Sequence, residues 1–281
     1  MKSPSVDYLS PIVIGIVQGV SEWLPISSKT QVLLVSSLLL NISAAVAYAF
    51  GLFMEIGSIG SALTYFRRDV VRVFRDMSLL KYLVVVTVVT GLVGVPLFLV
   101  SEKVLANAYN IGYPMLALGI VLILDGIYIM FTREKRRPRT FKEMNLRDMI
   151  IIGIAQGIAA LPGVSRSGMT VSTMLLLGYN PEDAFRYSYL AYIPAALGAF
   201  GVTLLFSRHN IEAVTSQLSL DGVIIAVITA FLTGLLVIGF LMRIAKMTKI
   251  YVVNFILGAI AIIGSLVIIA NYGLVSGTGV T

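Results

Sequence analysis

Apolar residues run through this chain in long blocks, and two of the blocks are interrupted by polar residues before they reach membrane-spanning length. The first runs over 9–20, is broken over 21–29 and resumes over 31–40. The second runs over 150–161 and resumes over 170–177. Each piece is shorter than the roughly 20 residues that a helix needs to cross a bilayer. Because backbone in lipid must be hydrogen-bonded within its own segment, each pair predicts a re-entrant helical hairpin.

Six other apolar blocks are long enough to cross a bilayer without a break. They lie at about 44–66, 79–100, 113–131, 185–207, 220–242 and 250–270. The chain is 58% hydrophobic and 12% charged, whereas a soluble domain carries roughly a quarter charged residues. We therefore predict an all-α polytopic membrane protein with six full transmembrane helices and two re-entrant helical hairpins.

The two halves of the chain also resemble each other residue by residue. Ile14–Gly19 is similar to Ile152–Gly157, and with a one-residue gap Pro25–Lys29 lies over Pro162–Arg166. Proline, serine and a cation coincide in the second match. Because each half contains three full crossings, an odd number, the two copies are predicted to have inverted topology.

Basic residues predict how the chain is oriented in the membrane. Seven of them lie in one loop over 132–148. This loop separates a first repeat at 9–131 from a second repeat at 149–270, and we predict that the two repeats form a single membrane domain. The loops predicted to lie on the opposite side hold only Lys103 and Arg208. If the basic loops are cytoplasmic, the first hairpin opens outward and the second inward. The net charge of +7 therefore indicates orientation and contact with membrane lipid, and gives no support for nucleic-acid binding.

Inverted repeats with broken helices usually bring their interruptions together near the midplane, and here the interruptions carry charged groups. An unpaired glutamate inside a membrane is costly, so Glu22 predicts a polar pocket shared with the cations. The guanidinium of Arg166 offers a planar fork of donors suited to phosphate oxygens. Free N–H groups at the start of the helix that follows also favour an anion.

The motifs in the two interruptions resemble those of one family, the undecaprenyl-pyrophosphate phosphatases or bacitracin-resistance lipid phosphatases. Gln18–Glu22 resembles the family's (E/Q)xxxE motif, Pro25–Ser28 its Pro-x-Ser-Ser turn, and Pro162–Thr170 its PGxSRSxxT motif. Tyr187–Pro194 is similar to its Ser-Phe-Leu-x-x-x-Pro segment. The resemblance implies a membrane enzyme that removes the terminal phosphate of a polyprenyl diphosphate and so recycles a lipid carrier for cell-envelope glycan synthesis. It also implies paired re-entrant helices and a divalent cation, Mg²⁺ or Ca²⁺.

The sequence departs from this family at three positions of the candidate site. Gln31 stands where the family usually has a histidine, which removes the natural proton shuttle near neutral pH. Lys29 stands where a small residue is usual, and Glu55 where a glutamine is common. An alternative therefore stays open, in which the protein flips a polyprenyl phosphate across the membrane without hydrolysis.

We assign expected roles to the site residues as follows. Arg166 holds the phosphoryl group, and Glu22 either ligates the cation or acts as a base. Ser28 is either the nucleophile or a cap or phosphate ligand, and direct attack by water stays open. The remaining candidates for phosphate binding are Gln18, Ser27, Lys29, Ser165, Ser167 and Thr170, and Gln31, Glu55 and Gln156 are polar positions without an assigned role.

Further expectations concern the surroundings of the site. We expect the substrate to enter from the outer face of the plasma membrane, and we leave a homodimer open. Trp23 and the tyrosines near the interruptions predict anchors at the membrane interface, and the basic residues over 133–147 predict a loop that touches anionic lipid.

Overall fold

The computed structural model describes residues 8–24, 28–40, 44–105, 138–161, 164–206, 208–245 and 250–277, with isolated helical positions between 116 and 130. The helices are α1 Leu9–Ser21, α2 Ser28–Leu40, α3 Ala44–Phe53, α4 Glu55–Tyr65, α5 Arg67–Val73, α6 Met77–Leu105, α7 Leu146–Ile158, α8 Arg166–Leu176, α9 Pro181–Phe206, α10 Arg208–Ala245 and α11 Ile250–Gly277. A single 3₁₀ turn, Phe141–Glu143, precedes α7. Across these ranges the only β-type pairing is an isolated bridge between Arg139 and Tyr179, which confirms the all-α prediction.

Within the described ranges, three helices are long and apolar enough to cross a membrane, as judged by length and composition. They are Met77–Val100, Pro181–Leu205 and Leu218–Ile244, which match the blocks predicted at 79–100, 185–207 and 220–242. Large apolar side chains on all three stay exposed, among them Leu92, Leu205 and Leu236. Because a soluble protein rarely exposes so much contiguous apolar surface, these helices define a membrane protein.

Both interrupted blocks form pairs of short helices, as predicted. The first pair, α1 and α2, is in mutual contact, and so is the second pair, α7 and α8. Helix α8 begins at Arg166, four residues before the predicted start at 170. The reason is local: Ser165 is the N-cap of α8 and accepts a hydrogen bond from the backbone N–H of Gly168 at 3.3 Å, which satisfies one of the free donors of the first turn.

The block over 44–66 is not one continuous helix, which corrects the sequence prediction. Helix α3 ends at Phe53, Met54 lies outside both helices, and α4 begins at Glu55. No proline marks this break, so the apolar pattern alone does not reveal it. Its consequence is that Glu55 becomes the first residue of a helix rather than the middle of a span.

Each half of the chain packs its first short helix against a long helix of the other half. Helix α1 lies along α10, and α7 lies along α6. Equivalent glycines make both contacts close: a Cβ on Gly19 would lie 2.6 Å from the carbonyl oxygen of Ala230, and one on Gly157 would lie 2.6 Å from Cβ of Val93. Small residues allow this approach between membrane helices. The reciprocal packing supports the two-repeat interpretation, which stays a prediction.

The end of the basic loop is anchored to the helices rather than free on a lipid surface. Arg139 pairs with Asp148 at 2.6 Å and also donates to the carbonyl oxygen of Leu177 at 2.9 Å. Phe141 stacks on Tyr187, with 3.7 Å between the ring centroids. The prediction of a lipid-contact loop is therefore wrong for Arg139, whose charge is used within the fold.

The predicted blocks not yet discussed differ in how much of them the structure describes. The block over 113–131 lies largely outside the described residues. The block over 250–270 falls within α11. The block over 220–242 falls within α10, whose helix is interrupted at Ser219, where φ is +63°.

Candidate active site

The carboxylate of Glu22, just after α1, accepts hydrogen bonds on both oxygens. Arg166 Nη2 lies 2.5 Å from Oε1. Ser28 Oγ donates to Oε2 at 2.6 Å, and Gln18 Nε2 donates to the same oxygen at 2.8 Å. Glu22 is 4% exposed, so these donors compensate a charge that is removed from solvent. The predicted meeting of the two interruptions is confirmed for Glu22 and Arg166.

Arg166 is placed by the cap of α8 and by an aromatic ring from α9. Its Cζ lies 3.8 Å from the ring centroid of Tyr192, which is a cation–π contact in a buried setting. One guanidinium nitrogen pairs with Glu22, whereas the other, Nη1, is buried and has no hydrogen-bond partner among the described residues. Since a buried donor without an acceptor is costly, this nitrogen is available to a ligand.

The hydroxyls around Arg166 are engaged with protein groups in this structure. Ser165 and Ser167 both donate to the carbonyl oxygen of Leu24, at 3.2 and 3.0 Å, and so tie the second hairpin to the first. Thr170 donates to the carbonyl oxygen of Arg166 at 2.9 Å and contacts the hydroxyl of Ser188. Their role as phosphate ligands stays a prediction that requires an exchange of partners. Ser27 lies outside the described residues.

A second ion pair lies beside the first. Lys29 Nζ, from the start of α2, is 3.3 Å from Glu55 Oε1, and their side chains are 12% and 4% exposed. Glu55 is the first residue of α4, directly after the break at Met54. Lys29 is also the residue that the repeat comparison aligned with Arg166, so each of the two repeat-equivalent cations pairs with a buried carboxylate.

The two repeat-equivalent glutamines are buried but have different partners. Gln18 Nε2 donates to Ser58 Oγ at 3.2 Å as well as to Glu22. Gln156 Nε2 donates to Thr90 Oγ1 at 3.0 Å. The carbonyl oxygen of each side chain has no partner within the described residues. Gln31 lies half-buried in α2.

A cavity of about 180 Å³ opens beside both ion pairs. Its polar wall is formed by Lys29, Glu55, Thr90, Gln156 and Arg166. It continues as an apolar groove between α6 and α9, lined by Gly91, Gly94, Val95, Phe98, Gly198 and Val202. A Cβ added to Gly91 or Gly198 would meet no atom within 4 Å, so the groove is unobstructed there.

Sequence reasoning missed the aromatic part of the site. Trp23 is 1% exposed and packs edge-on against Tyr189 and Tyr192, with ring centroids 5.1 Å apart in both cases. The prediction that Trp23 anchors the membrane interface is therefore wrong. Tyr192 donates to the backbone carbonyl oxygen of Glu55 at 3.3 Å. The only sequence signal was the cluster of tyrosines before Pro194, and it does not specify which ring meets which cation.

Fold and site together define an all-helical membrane protein with two buried cation–carboxylate pairs at one cavity. The family model described as bacitracin resistance protein BacA matches residues 11–263. The chain belongs to this family. The matched range includes α2, α7 and α8, all of α1 except its first two residues, and the motif around Arg166.

Several relatives match nearly the whole chain, and each of the following is named undecaprenyl-diphosphatase. The relative from Saccharolobus islandicus (strain Y.G.57.14 / Yellowstone #1) is 64% identical over 92% of this chain and 97% of its own length. The one from Sulfurisphaera tokodaii is 61% identical over 93% of this chain and 98% of its own. The one from Pyrobaculum aerophilum is 40% identical over 90% and 96%.

Proposed function

We propose that the protein hydrolyses the terminal phosphoric anhydride bond of an undecaprenyl-type polyprenyl diphosphate and releases inorganic phosphate. The monophosphate carrier then returns to cell-envelope glycan synthesis. Family membership and the names of the relatives support this reaction over transport without hydrolysis. The observation that carries the proposal is the single cavity, where Arg166 and Lys29 lie beside an apolar groove. A diphosphate head needs cationic donors and its tail needs apolar surface, and the two are adjacent here.

The contact between Ser28 and Glu22 supports attack by the serine. At 2.6 Å, Oε2 is within reach of the hydroxyl proton, which is the geometry of a nucleophile and its base. Ser28 Oγ attacks the terminal phosphorus and its proton passes to Glu22. The bond to the bridging oxygen breaks, and the electron pair leaves with the polyprenyl monophosphate. Water then hydrolyses the phosphoserine, which returns inorganic phosphate and free Ser28.

Arg166 stabilises the charge that develops during this transfer. Its unpartnered Nη1 offers a donor to a phosphoryl oxygen, while the bond from Nη2 to Glu22 and the ring of Tyr192 hold the guanidinium plane in place. Donors fixed before the reaction lower the barrier because they do not have to reorganise as charge moves. Phosphoryl transfer depends chiefly on such positioning and electrostatic stabilisation.

The divalent cation implied by the family resemblance does not fit the described side chains easily. Mg²⁺ and Ca²⁺ take carboxylate and carbonyl oxygens, but both oxygens of Glu22 are occupied by donors and Glu55 is paired with Lys29. No group of three His, Cys, Asp or Glu residues in the described ranges is arranged to hold a metal. The steps above are therefore assigned to Ser28, Glu22 and Arg166 alone.

The proposed topology places six spans and two oppositely opening hairpins in the plasma membrane, with the site open to the outer face. It rests on the basic loops and on the reciprocal packing of α1 and α7. Because the chain has no cysteine, single-cysteine labelling tests it cleanly. Arg72→Cys should react with an impermeant maleimide only after the cells are opened, and Lys103→Cys should react in intact cells. The reverse pattern would contradict the topology.

Phosphate release by the purified protein tests the reaction itself. We expect the wild type to release phosphate from a C55 diphosphate, and Glu22→Gln and Ser28→Ala to lose at least about a hundredfold in rate, as expected for loss of a base or a nucleophile. Lys142→Met, in an exposed loop, is the control. Phosphoserine at Ser28, trapped by acid quench and found by mass spectrometry, would identify the covalent step. Full activity in Ser28→Ala would favour attack by water, and binding without phosphate release would favour a flippase.

A further inference from the structure

The Lys29–Glu55 pair faces the same cavity as Arg166, but none of the bond-making or bond-breaking steps assigned above uses it. Both side chains line the cavity, whereas Glu22 is not among the described residues that do so. The pair is buried and joined at 3.3 Å. A buried ion pair is weak evidence for stability, because its desolvation offsets much of its attraction. The position of the pair at the cavity wall points instead to a role in substrate binding.

The two ion pairs beside the cavity, among the described residues, each join one cation to one carboxylate before substrate binds. Lys29 and Arg166 balance Glu22 and Glu55. A phosphomonoester alone carries about −1.5 to −2 at neutral pH, so a diphosphate adds more negative charge than Arg166 can offset. In metal-dependent phosphoryl transfer a divalent cation offsets this excess. Here both oxygens of Glu22 already accept hydrogen bonds, and Oε1 of Glu55 is paired with Lys29.

We infer that the charge of Lys29 compensates that of the second phosphate, so that the enzyme works without a divalent cation. Glu55 is the positioning residue that holds Lys29 at the cavity wall. Arg166 binds one phosphate, and the ammonium of Lys29 turns from Glu55 to the other. A lysine ammonium suits this exchange because it is a compact charge on a flexible stem, whereas the guanidinium of Arg166 is fixed by Glu22 and Tyr192. This inference rests on the proposed function.

Two measurements on the full-length protein in detergent test the inference, each with EDTA and with Mg²⁺. The first is phosphate release from a C55 diphosphate, and the second is calorimetric binding of methylenediphosphonate, which cannot be hydrolysed at its bridge. We expect the wild type to keep both activities in EDTA. Lys29→Met should lose about tenfold to a hundredfold in both in EDTA, the usual effect of removing a charged hydrogen bond. Excess Mg²⁺ should restore much of that loss, since the cation again supplies the missing charge.

Further variants separate a direct role of Lys29 from a structural one. Lys29→Arg, which keeps the charge, should retain activity in EDTA. Glu55→Gln should bind the diphosphonate at least as tightly as the wild type, because Lys29 no longer has to leave a carboxylate. Lys142→Met serves as the matched lysine control. If Lys29→Met fails to fold, as judged by thermal unfolding, binding of methylenediphosphonate by Glu55→Gln in EDTA decides, because weaker binding than in the wild type would contradict the exchange.

The outcomes for this inference and for the proposed function are distinct. Strict metal dependence of the wild type would overturn the inference but leave the reaction intact. An unchanged Lys29→Met variant in EDTA would also overturn it. The absence of phosphate release from the wild type in every condition would instead contradict the proposed function.

Discussion

The ion pair between Glu22 and Arg166 leads to a quantitative prediction for stability. Arg166 depends more on Glu22 for compensation of its buried charge than Glu22 depends on Arg166. Glu22 keeps two further donors, Gln18 and Ser28, when the arginine is removed. Arg166 keeps only the rings of Tyr192 and Trp23 when the glutamate is removed, and its Nη1 already has no hydrogen-bond partner among the described residues. Breaking a buried pair by removing one partner typically costs about 3–5 kcal/mol. We expect Glu22→Ala to lie in that range.

The arginine variant should be affected less. Hydrogen bonds to a charged group contribute about 1.5–3 kcal/mol each, and two of them still reach the carboxylate in Arg166→Ala. The double variant leaves neither charge buried, so it should be no less stable than Glu22→Ala alone. The expected coupling free energy is then about 2–3 kcal/mol, near the upper limit for residues in direct contact.

Equilibrium unfolding of the detergent-solubilised variants measures this cycle. Arg72→Ala, which removes one member of an exposed pair with Asp76 at 2.7 Å, is the control and should change stability little. Two results would refute the reasoning: additive losses in the double variant, or a larger loss for Arg166→Ala than for Glu22→Ala. Either would mean that Glu22 is not the main compensating group for the guanidinium.

Three further predictions follow from packing, charge and the missing histidine. Gly19→Ala should lower the free energy of unfolding by about 1–3 kcal/mol, because the added methyl group overpacks the contact with α10. Gly201→Ala is the control and should cause no such loss, since an added Cβ there meets no atom within 4 Å. Equal losses in the two variants would contradict the close-packing argument. Burial raises the pKa of Asp148, but hydrogen bonds from Tyr179 and Arg139 outweigh this effect and hold the pKa below its usual range. The ionised carboxylate therefore stabilises the fold above the unfolded-state pKa near 3.9, and this stabilisation is lost as pH falls through the folded-state pKa. In Asp148→Asn the free energy of unfolding should accordingly depend less on pH in the acid range. Gln31→His should change phosphate release by less than about threefold at pH 8 and add a titration near the ordinary histidine pKa of about 6.5; a large gain at pH 8 would show that Glu22 is not a sufficient base.

The positions of several helices could be predicted because a segment that lies in lipid has to be apolar over a defined length. The short blocks at 9–20 and 150–161 correspond to α1 and α7, and three spans match in type and approximate position. The start of α8 was predicted four residues too late, at 170, because the prediction did not identify Ser165 as the N-cap. The location of these helices depends on how apolar each segment is, and the sequence shows this directly.

Contacts between distant segments could not be predicted in the same way. The break at Met54 carries no proline, so nothing local distinguishes it from a continuous span. The stacking of Tyr192 on Arg166 joins two helices whose relative rotation the sequence does not specify. Trp23 illustrates the same limit: its ring suits a membrane interface or an aromatic core equally well, and only its packing against Tyr189 decides.

The similarity between the two halves indicates more about the site than either motif does alone, because it aligns Lys29 with Arg166. Lys29 and Arg166, which stand at equivalent positions of the two similar segments, both line the same cavity. Each cation then requires its own carboxylate while the cavity holds no anion, since an unpaired charge inside the membrane is costly. Glu22 and Glu55 meet that requirement differently: in the described part of the chain, three side chains donate to Glu22, whereas Glu55 is paired with Lys29. The difference gives the site one rigid cation and one that is free to change partners, which suits a substrate head with two phosphates.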